Sequence, residues 1–234
     1  MTQDPFALLP APIRAALERR GFETLTPVQE AVVSARSEDR DLRISSQTGS
    51  GKTVAIGFAL ADHFLAPPPQ APRVDPAEVD PGKPCPPQGP RNASRQDPGA
   101  GRRTADGKAH PVALVIVPTR ELAAQVREEI AWLYADLDGL RVEVVTGGTS
   151  IMNERRALSR GPWLVVATPG RLLDHIRNGA IATDAIAHVV LDEADQMLDM
   201  GFRDELDAIV ETLPKTRRSH LVSATFPRLS LIHI

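Results

Sequence analysis

Two polar segments about 140 residues apart carry residue types that can handle a nucleoside triphosphate. Gln47-Thr48-Gly49-Ser50-Gly51-Lys52-Thr53 follows a short strand-like stretch, Leu42–Ser45, and opens into a helix-like run, Lys52–Leu60. A loop in that position aims backbone N–H groups at a helix N-terminus. There Gln47, Thr48, Gly49, Ser50 and Gly51 can wrap a polyphosphate, Lys52 can reach its outer phosphates, and the Thr53 hydroxyl can ligate Mg²⁺. Glycine at 49 and 51 lets the backbone approach phosphate with no Cβ in the way. The second segment, Asp192-Glu193-Ala194-Asp195, closes the apolar run His188–Leu191. It supplies what the loop lacks: Asp192 to hold the metal, usually through water, and Glu193 to orient and deprotonate an attacking water. Either string alone is a weak signal. Found in this order, each at the carboxyl end of an apolar strand pattern, they describe an ATP-hydrolysing site with Lys52, Asp192 and Glu193 as its catalytic groups. Ser46 stands where such loops usually begin with glycine, and a small residue fits there.

The elements that must position these groups are legible from composition and period. The 234 residues allow one or two domains, and a 42% hydrophobic fraction is ample for a core. No run approaches the roughly 18 to 20 apolar residues that span a bilayer, and the N-terminus lacks a secretory profile, so a cytoplasmic monomer with no membrane contact is expected. Cys85 is the only cysteine, which excludes an internal disulfide or a cysteine-rich zinc site. A net charge of −3 means that any nucleic-acid contact must come from local patches rather than bulk charge.

Residues 66–110 hold 11 prolines and 5 glycines, with Val74 and Val79 as the only large aliphatics. Such a stretch cannot bury enough apolar area to offset its ordering entropy, and a disordered, passive insertion is expected. Outside it, Val112–Val117, Arg141–Val145, Trp163–Ala167, His188–Leu191 and His220–Ser223 read as strands, most too continuously apolar to have a wet face. Helix-period runs separate them at Glu121–Ala135, Arg171–Asn178 and Phe202–Leu213. This alternation predicts an α/β fold with a parallel sheet covered by helices on both faces. Ligands in such sheets lie beyond the carboxyl ends of the strands, and every polar motif falls at such an end. Trp163, His63 and His175 are expected to pack or to sit at the surface.

At this point the chain resembles the first RecA-like, P-loop NTPase domain of a DEAD-box ATP-dependent RNA helicase. The likeness covers nearly everything except the Pro-rich insertion and the last residues. It implies residues 1–40 as an adenine-recognition segment, residues 41–228 as the ATP-binding domain interrupted at 66–110, and ATP and Mg²⁺ as cofactors. Phe22 and Gln29 match the family's adenine motif, which implies that Phe22 stacks on the base and Gln29 bonds its edge; an amide suits adenine, offering one donor and one acceptor. Leu25 stands where proline is common. Pro118-Thr119-Arg120, Gly147-Gly148 and Thr168-Pro169-Gly170-Arg171 match the RNA-backbone motifs, with Arg120 and Arg171 contacting phosphate or bracing the loops. Such contacts imply sequence-independent binding of RNA. Ser223-Ala224-Thr225 matches the motif that couples hydrolysis to strand separation, its hydroxyls bonding the acidic quartet, including Asp195.

The resemblance also implies a second RecA-like domain, with an arginine finger, beyond this chain, so a fragment nearly inactive by itself is expected. Residues 229–234 resemble the translation of a library adapter and are expected to be non-native. The function implied is ATP hydrolysis coupled to local RNA duplex unwinding or remodelling. An ATP-gated RNA clamp or scaffold is the alternative, and a DNA translocase is disfavoured by the adenine motif and the acidic quartet.

Overall fold

The computed structural model describes residues 6–36, 40–45, 49–65, 108–137 and 139–224. Six strands form one sheet: β1 (Leu42–Ser45), β2 (Ala113–Ile116), β3 (Val142–Val145), β4 (Leu164–Ala167), β5 (His188–Asp192) and β6 (Arg218–Ser223). Their order across the sheet is β1-β6-β5-β2-β4-β3, and every adjacent pair is parallel. Eight helices occur among the described residues: α1 (Ala11–Arg19), α2 (Pro27–Arg36), α3 (Lys52–Leu65), α4 (Arg120–Leu133), α5 (Ile151–Leu158), α6 (Pro169–Arg177), α7 (Ala194–Asp199) and α8 (Arg203–Thr212).

Burial on both faces explains why the central strands read as unbroken apolar runs. All four residues of β2 are buried, but they serve two cores. Ala113 and Val115 join the cluster built with Ile13, Leu17, Phe58 and Ile130 from α1, α3 and α4. Leu114 and Ile116 join the cluster built with Leu158, Leu172, Met197 and Ile209 from α5, α6, α7 and α8. Side chains alternate across a strand, so a sheet packed on both sides has no polar position left along its length. Close approach of α3 to α4 needs Gly57, where an added Cβ would run into Leu133. The Tyr134 hydroxyl donates to the Gly57 carbonyl at 2.5 Å across the same contact.

The expected elements are present with ends moved by at most two residues, except that α3 continues five residues past Leu60. One expectation changes at the end of the insertion. Ala109 is buried and paired with the segment near Ile181, its N–H donating to the Ala180 carbonyl at 3.0 Å. His110 Nδ1 lies 3.0 Å from Asp184 Oδ1. Residues 108–110 are therefore ordered, because a small apolar residue and a paired imidazole dock there without any large side chain. Residues 66–107 and the expected non-native tail, 229–234, lie outside the described residues.

At the sheet end away from the polar motifs, three imidazoles meet. His220 Nε2 and His188 Nδ1 are 3.2 Å apart with stacked rings, and His63 approaches His188 edge-on at 5.1 Å between centroids. That hydrogen bond needs at least one neutral imidazole, to act as acceptor. Burial, then repulsion from His220, His63 and Arg218, pushes His188 down to about 3. Burial pushes His220 down to about 4, Arg218 assisting and Asp41 opposing. An unfolded chain takes up these protons from the ordinary value of 6.5 downward, so the pair's stabilisation is complete above about pH 7 and lost as pH falls toward 4. At pH 5 each imidazole should cost roughly 2 kcal/mol of stability. Urea unfolding at pH 7 and pH 5 should show His188→Leu losing clearly less than the parent chain; equal losses would mean that His188 takes up its proton in the folded state.

Candidate nucleotide and nucleic-acid site

The strand order divides the carboxyl edge of the sheet into two halves. β6 lies between β1, which leads into the phosphate loop, and β5, which ends at Asp192. In register, Ser45 pairs with Ser223 and Asp192 with Val222, so segments about 140 residues apart flank one strand. The other half, β2-β4-β3, delivers Pro118–Arg120, Thr168–Arg171 and Thr146–Gly148 side by side.

Gln47 and Thr48 lie outside the described residues, as does Thr225. Gly49 and Gly51 have φ of 79° and 84°, a region L side chains rarely adopt. A Cβ on Gly51 would collide with the Gln29 amide, so here glycine is required by a protein neighbour as well as by the turn. Gln29 is buried at 1% exposure; its Oε1 accepts the Thr26 N–H at 3.0 Å and its Nε2 donates to the Gly51 carbonyl at 3.2 Å. Thr26 Oγ1 donates to the Ser50 carbonyl at 2.9 Å. The start of α2 thus pins the loop through two side chains. Phe22, half-buried, rests on Trp132 with ring centroids 5.9 Å apart, and the Arg20 guanidinium lies 4.9 Å from the Trp132 ring.

Lys52 and Asp192 are both buried, at 7% and 2% exposure, and Thr53 follows Lys52 in the first turn of α3. Burial raises the Asp192 carboxyl to about 6; the Lys52 charge pulls it down, Glu193 and Asp195 push it up, and the Glu193 N–H, bonded to Oδ1 at 3.0 Å, favours the anion. A buried carboxylate under this pressure fits a divalent cation that takes its other ligands from phosphate, water and a hydroxyl such as that of Thr53.

Glu193 has φ 52° and ψ 49°, the only positive φ at a non-glycine among the described residues. That conformation turns the chain sharply between β5 and α7. Asp195 Oδ1 accepts the Gln196 N–H at 3.0 Å, and Ser223 is wholly buried at the end of β6.

On the other half, Pro118 is buried and Thr119 caps α4, its hydroxyl accepting the Leu122 N–H at 3.2 Å. Arg120 is exposed and lies against Gly148, whose φ is 81° and where a Cβ would meet Arg120 Nη1 at 2.6 Å. Gly147 precedes it in the turn. Thr168, at the N-cap of α6, makes no side-chain cap bond; Pro169 and Gly170 form the first turn. Arg171 points inward to Glu154 at 2.7 Å. Glu154 escaped the sequence reading, since a glutamate in the first turn of a helix ordinarily faces water. His175, read as packing, is buried and also bonds Glu154, at 2.8 Å.

A parallel sheet with a phosphate loop after one strand and an acidic turn two strands away is the RecA-like arrangement of P-loop NTPases. The sequence model of the DEAD/DEAH box helicase family matches residues 26–232, and the chain belongs to that family. It is 34% identical over 220 residues to ATP-dependent RNA helicase DbpA of Escherichia coli, a match covering 94% of this chain and 39% of that protein. It is 39% identical over 213 residues to rice DEAD-box ATP-dependent RNA helicase 52A, covering 89% of this chain and 31% of that protein. Among solved structures, a DEAD box protein from Methanococcus jannaschii superposes with a TM-score of 0.69 at 29% identity, covering 94% of this chain and 49% of that one. No helix of the described residues is long and apolar enough to cross a membrane.

Two substitutions test the local geometry. Glu193→Gly should raise stability by about 0.5–1 kcal/mol, left-handed strain being relieved against the unfolded-state entropy of glycine. An unchanged or lowered melting temperature would mean that the Glu193 side chain repays its strain in contacts. Gln29→Ala should cost about 1–3 kcal/mol by leaving buried partners unsatisfied, and should loosen ATP binding. Full ATP affinity in that variant would show that the loop holds its shape without the amide.

Proposed function

We propose that this chain binds ATP with Mg²⁺ on the β1-β6-β5 edge and the RNA backbone on the β2-β4-β3 edge, and that hydrolysis drives local remodelling of RNA duplexes. The observation carrying this reading is the strand order, which sets the phosphate loop and the acidic turn on either side of β6 within one sheet whose other half presents Arg120, Gly148 and Thr168. Lys52 neutralises phosphate, Thr53 and Asp192 hold the cation, and Glu193 takes the proton of the attacking water. The cation supplies charge neutralisation on the phosphates. Phe22 and the free valences of the Gln29 amide are the groups that would meet adenine. Asp195, in the first turn of α7 after β5, and Ser223, at the end of the neighbouring strand β6, would relay the state of the nucleotide to the other half of the edge.

The matched region is 39% of DbpA and 31% of the rice helicase, so a longer protein has room for groups that this edge lacks. The full cycle, including an arginine finger from a second domain, is proposed for such a protein rather than for these 234 residues alone. RNA as the substrate follows the printed names of both relatives.

Made in such a longer protein, Lys52→Ala and Glu193→Gln should separate binding from hydrolysis. Lys52 contacts phosphate in the ground state, so its loss should weaken ATP binding by about tenfold or more, whereas Glu193→Gln should keep affinity and abolish most phosphate release. Affinity is read by titrating a fluorescent ATP analogue, and turnover by released phosphate. Equal loss of affinity in the two variants would overturn these roles.

A further inference from the structure

We propose that Glu154 is the positioning residue of the RNA-facing edge, and that Arg171 serves RNA binding by bracing Glu154 rather than by touching phosphate. The proposal rests on the reading of that edge as an RNA surface and assigns it a part that no motif marks.

The Glu154 carboxylate is 6% exposed and accepts from four donors on two separate segments. Oε1 takes the Thr146 N–H at 3.0 Å and the Thr149 hydroxyl. Oε2 takes Arg171 Nη1 at 2.7 Å and His175 Nε2 at 2.8 Å. Thr146 and Thr149 bracket the Gly147-Gly148 turn, while Arg171 and His175 lie four residues apart on one face of α6. One side chain on α5 therefore fixes the loop after β3 relative to the N-terminus of α6. Those are the two backbone segments offered to phosphate. A carboxylate has about four lone-pair sites, and here all are used. These bonds outweigh burial and hold the carboxyl below its ordinary value.

The fate of the two arginines follows. Arg171 is only 12% exposed, and Nη1 also donates to the Thr149 carbonyl at 3.3 Å, which turns the guanidinium inward. Arg120 is 58% exposed and lies against Gly148, with its nearest acid, Glu121, at 3.7 Å. Drawing Arg171 out to a phosphate would take the guanidinium from a buried carboxylate, which costs more than one exposed phosphate contact returns. Arg120 is the guanidinium placed for phosphate, and Arg171 is the brace.

Salt dependence separates the two roles. Each phosphate contact to single-stranded RNA adds about 0.7 to the slope of log affinity against log salt. Binding of a fluorescein-labelled oligouridylate to the whole chain, with a non-hydrolysable ATP analogue present, is followed by anisotropy across salt concentrations. Arg120→Gln should lower the slope by about 0.7. Arg171→Gln and Glu154→Gln should each weaken binding about tenfold or more, as expected when charge-assisted bonds are lost, with the slope unchanged. A slope lowered by Arg171→Gln, or an affinity unmoved by Glu154→Gln, overturns the proposal. No salt-dependent RNA binding in the parent chain, or a slope unmoved by Arg120→Gln, overturns the RNA reading of the edge and the proposal with it. Amide hydrogen exchange adds a readout free of RNA. Protection of the Thr146 N–H should survive Glu154→Gln, which keeps an acceptor, and collapse in Glu154→Ala; protection retained in Glu154→Ala likewise overturns the proposal.

Discussion

Burial of the sheet on both faces is the constraint from which the placement of chemistry follows. With Ala113 and Val115 packed into one core and Leu114 and Ile116 into the other, no polar side chain can sit along the central strands β2 and β4 without being desolvated. In those two strands polar residues are admitted only where the strand ends and the chain turns into a helix. In a parallel sheet all such carboxyl ends lie on one edge, so the loops after β1, β2, β3, β4, β5 and β6 become neighbours whatever their separation in sequence. The order β1-β6-β5-β2-β4-β3 then decides which neighbours meet, setting the glycine-rich loop and the acidic turn on one half and the turns of Thr119, Gly148 and Thr168 on the other.

The edge is held by side chains that bond loops rather than ligands. Gln29 and Thr26 fasten the phosphate loop at Gly51 and Ser50, and Glu154 fastens the turn at Gly147-Gly148 to α6. Both devices are a buried polar group that bonds main chain of a loop on another element, Gln29 the Gly51 carbonyl and Glu154 the Thr146 N–H. Satisfied in this way, a buried amide or carboxylate stiffens a loop that has little apolar surface to stiffen it. The same logic separates the two arginines, since only the one without a buried partner is presented to solvent.

Much of this was legible in the sequence, for physical reasons that can be named. Strands buried on both sides lose their alternation and show as short apolar blocks, which is why Trp163–Ala167 could be read as a strand without its partners. Motifs made of contiguous residues were equally plain: Gly49 to Thr53 and Asp192 to Asp195 carry their spacing with them. What stayed hidden depends on contacts between distant elements. Glu154 looks like any first-turn glutamate until α6 brings Arg171 and His175 against it. The Phe22–Trp132 stack joins residues 110 apart, and neither composition nor period points to it. Ala109 and His110 sit at the edge of a proline-rich stretch, and composition averaged over 45 residues conceals three that dock.

The left-handed backbone at Glu193 shows the cost of placing a carboxylate where the sheet stops. A continuous helix from Asp192 would carry the next side chain away from the edge, whereas φ 52° reverses the chain at once and leaves Asp192 and Glu193 together on the same rim. Non-glycine residues resist that conformation by about 1–2 kcal/mol, and two flanking features offset it. The Glu193 N–H bonds the Asp192 carboxylate at 3.0 Å, and Ala194 and Met197 on α7 are buried immediately after the turn. Glycine would relieve the strain but remove the carboxylate. The strain is therefore a consequence of demanding two adjacent acids, one buried beside Lys52 and one half-buried, directly after the buried apolar residues Val189, Val190 and Leu191.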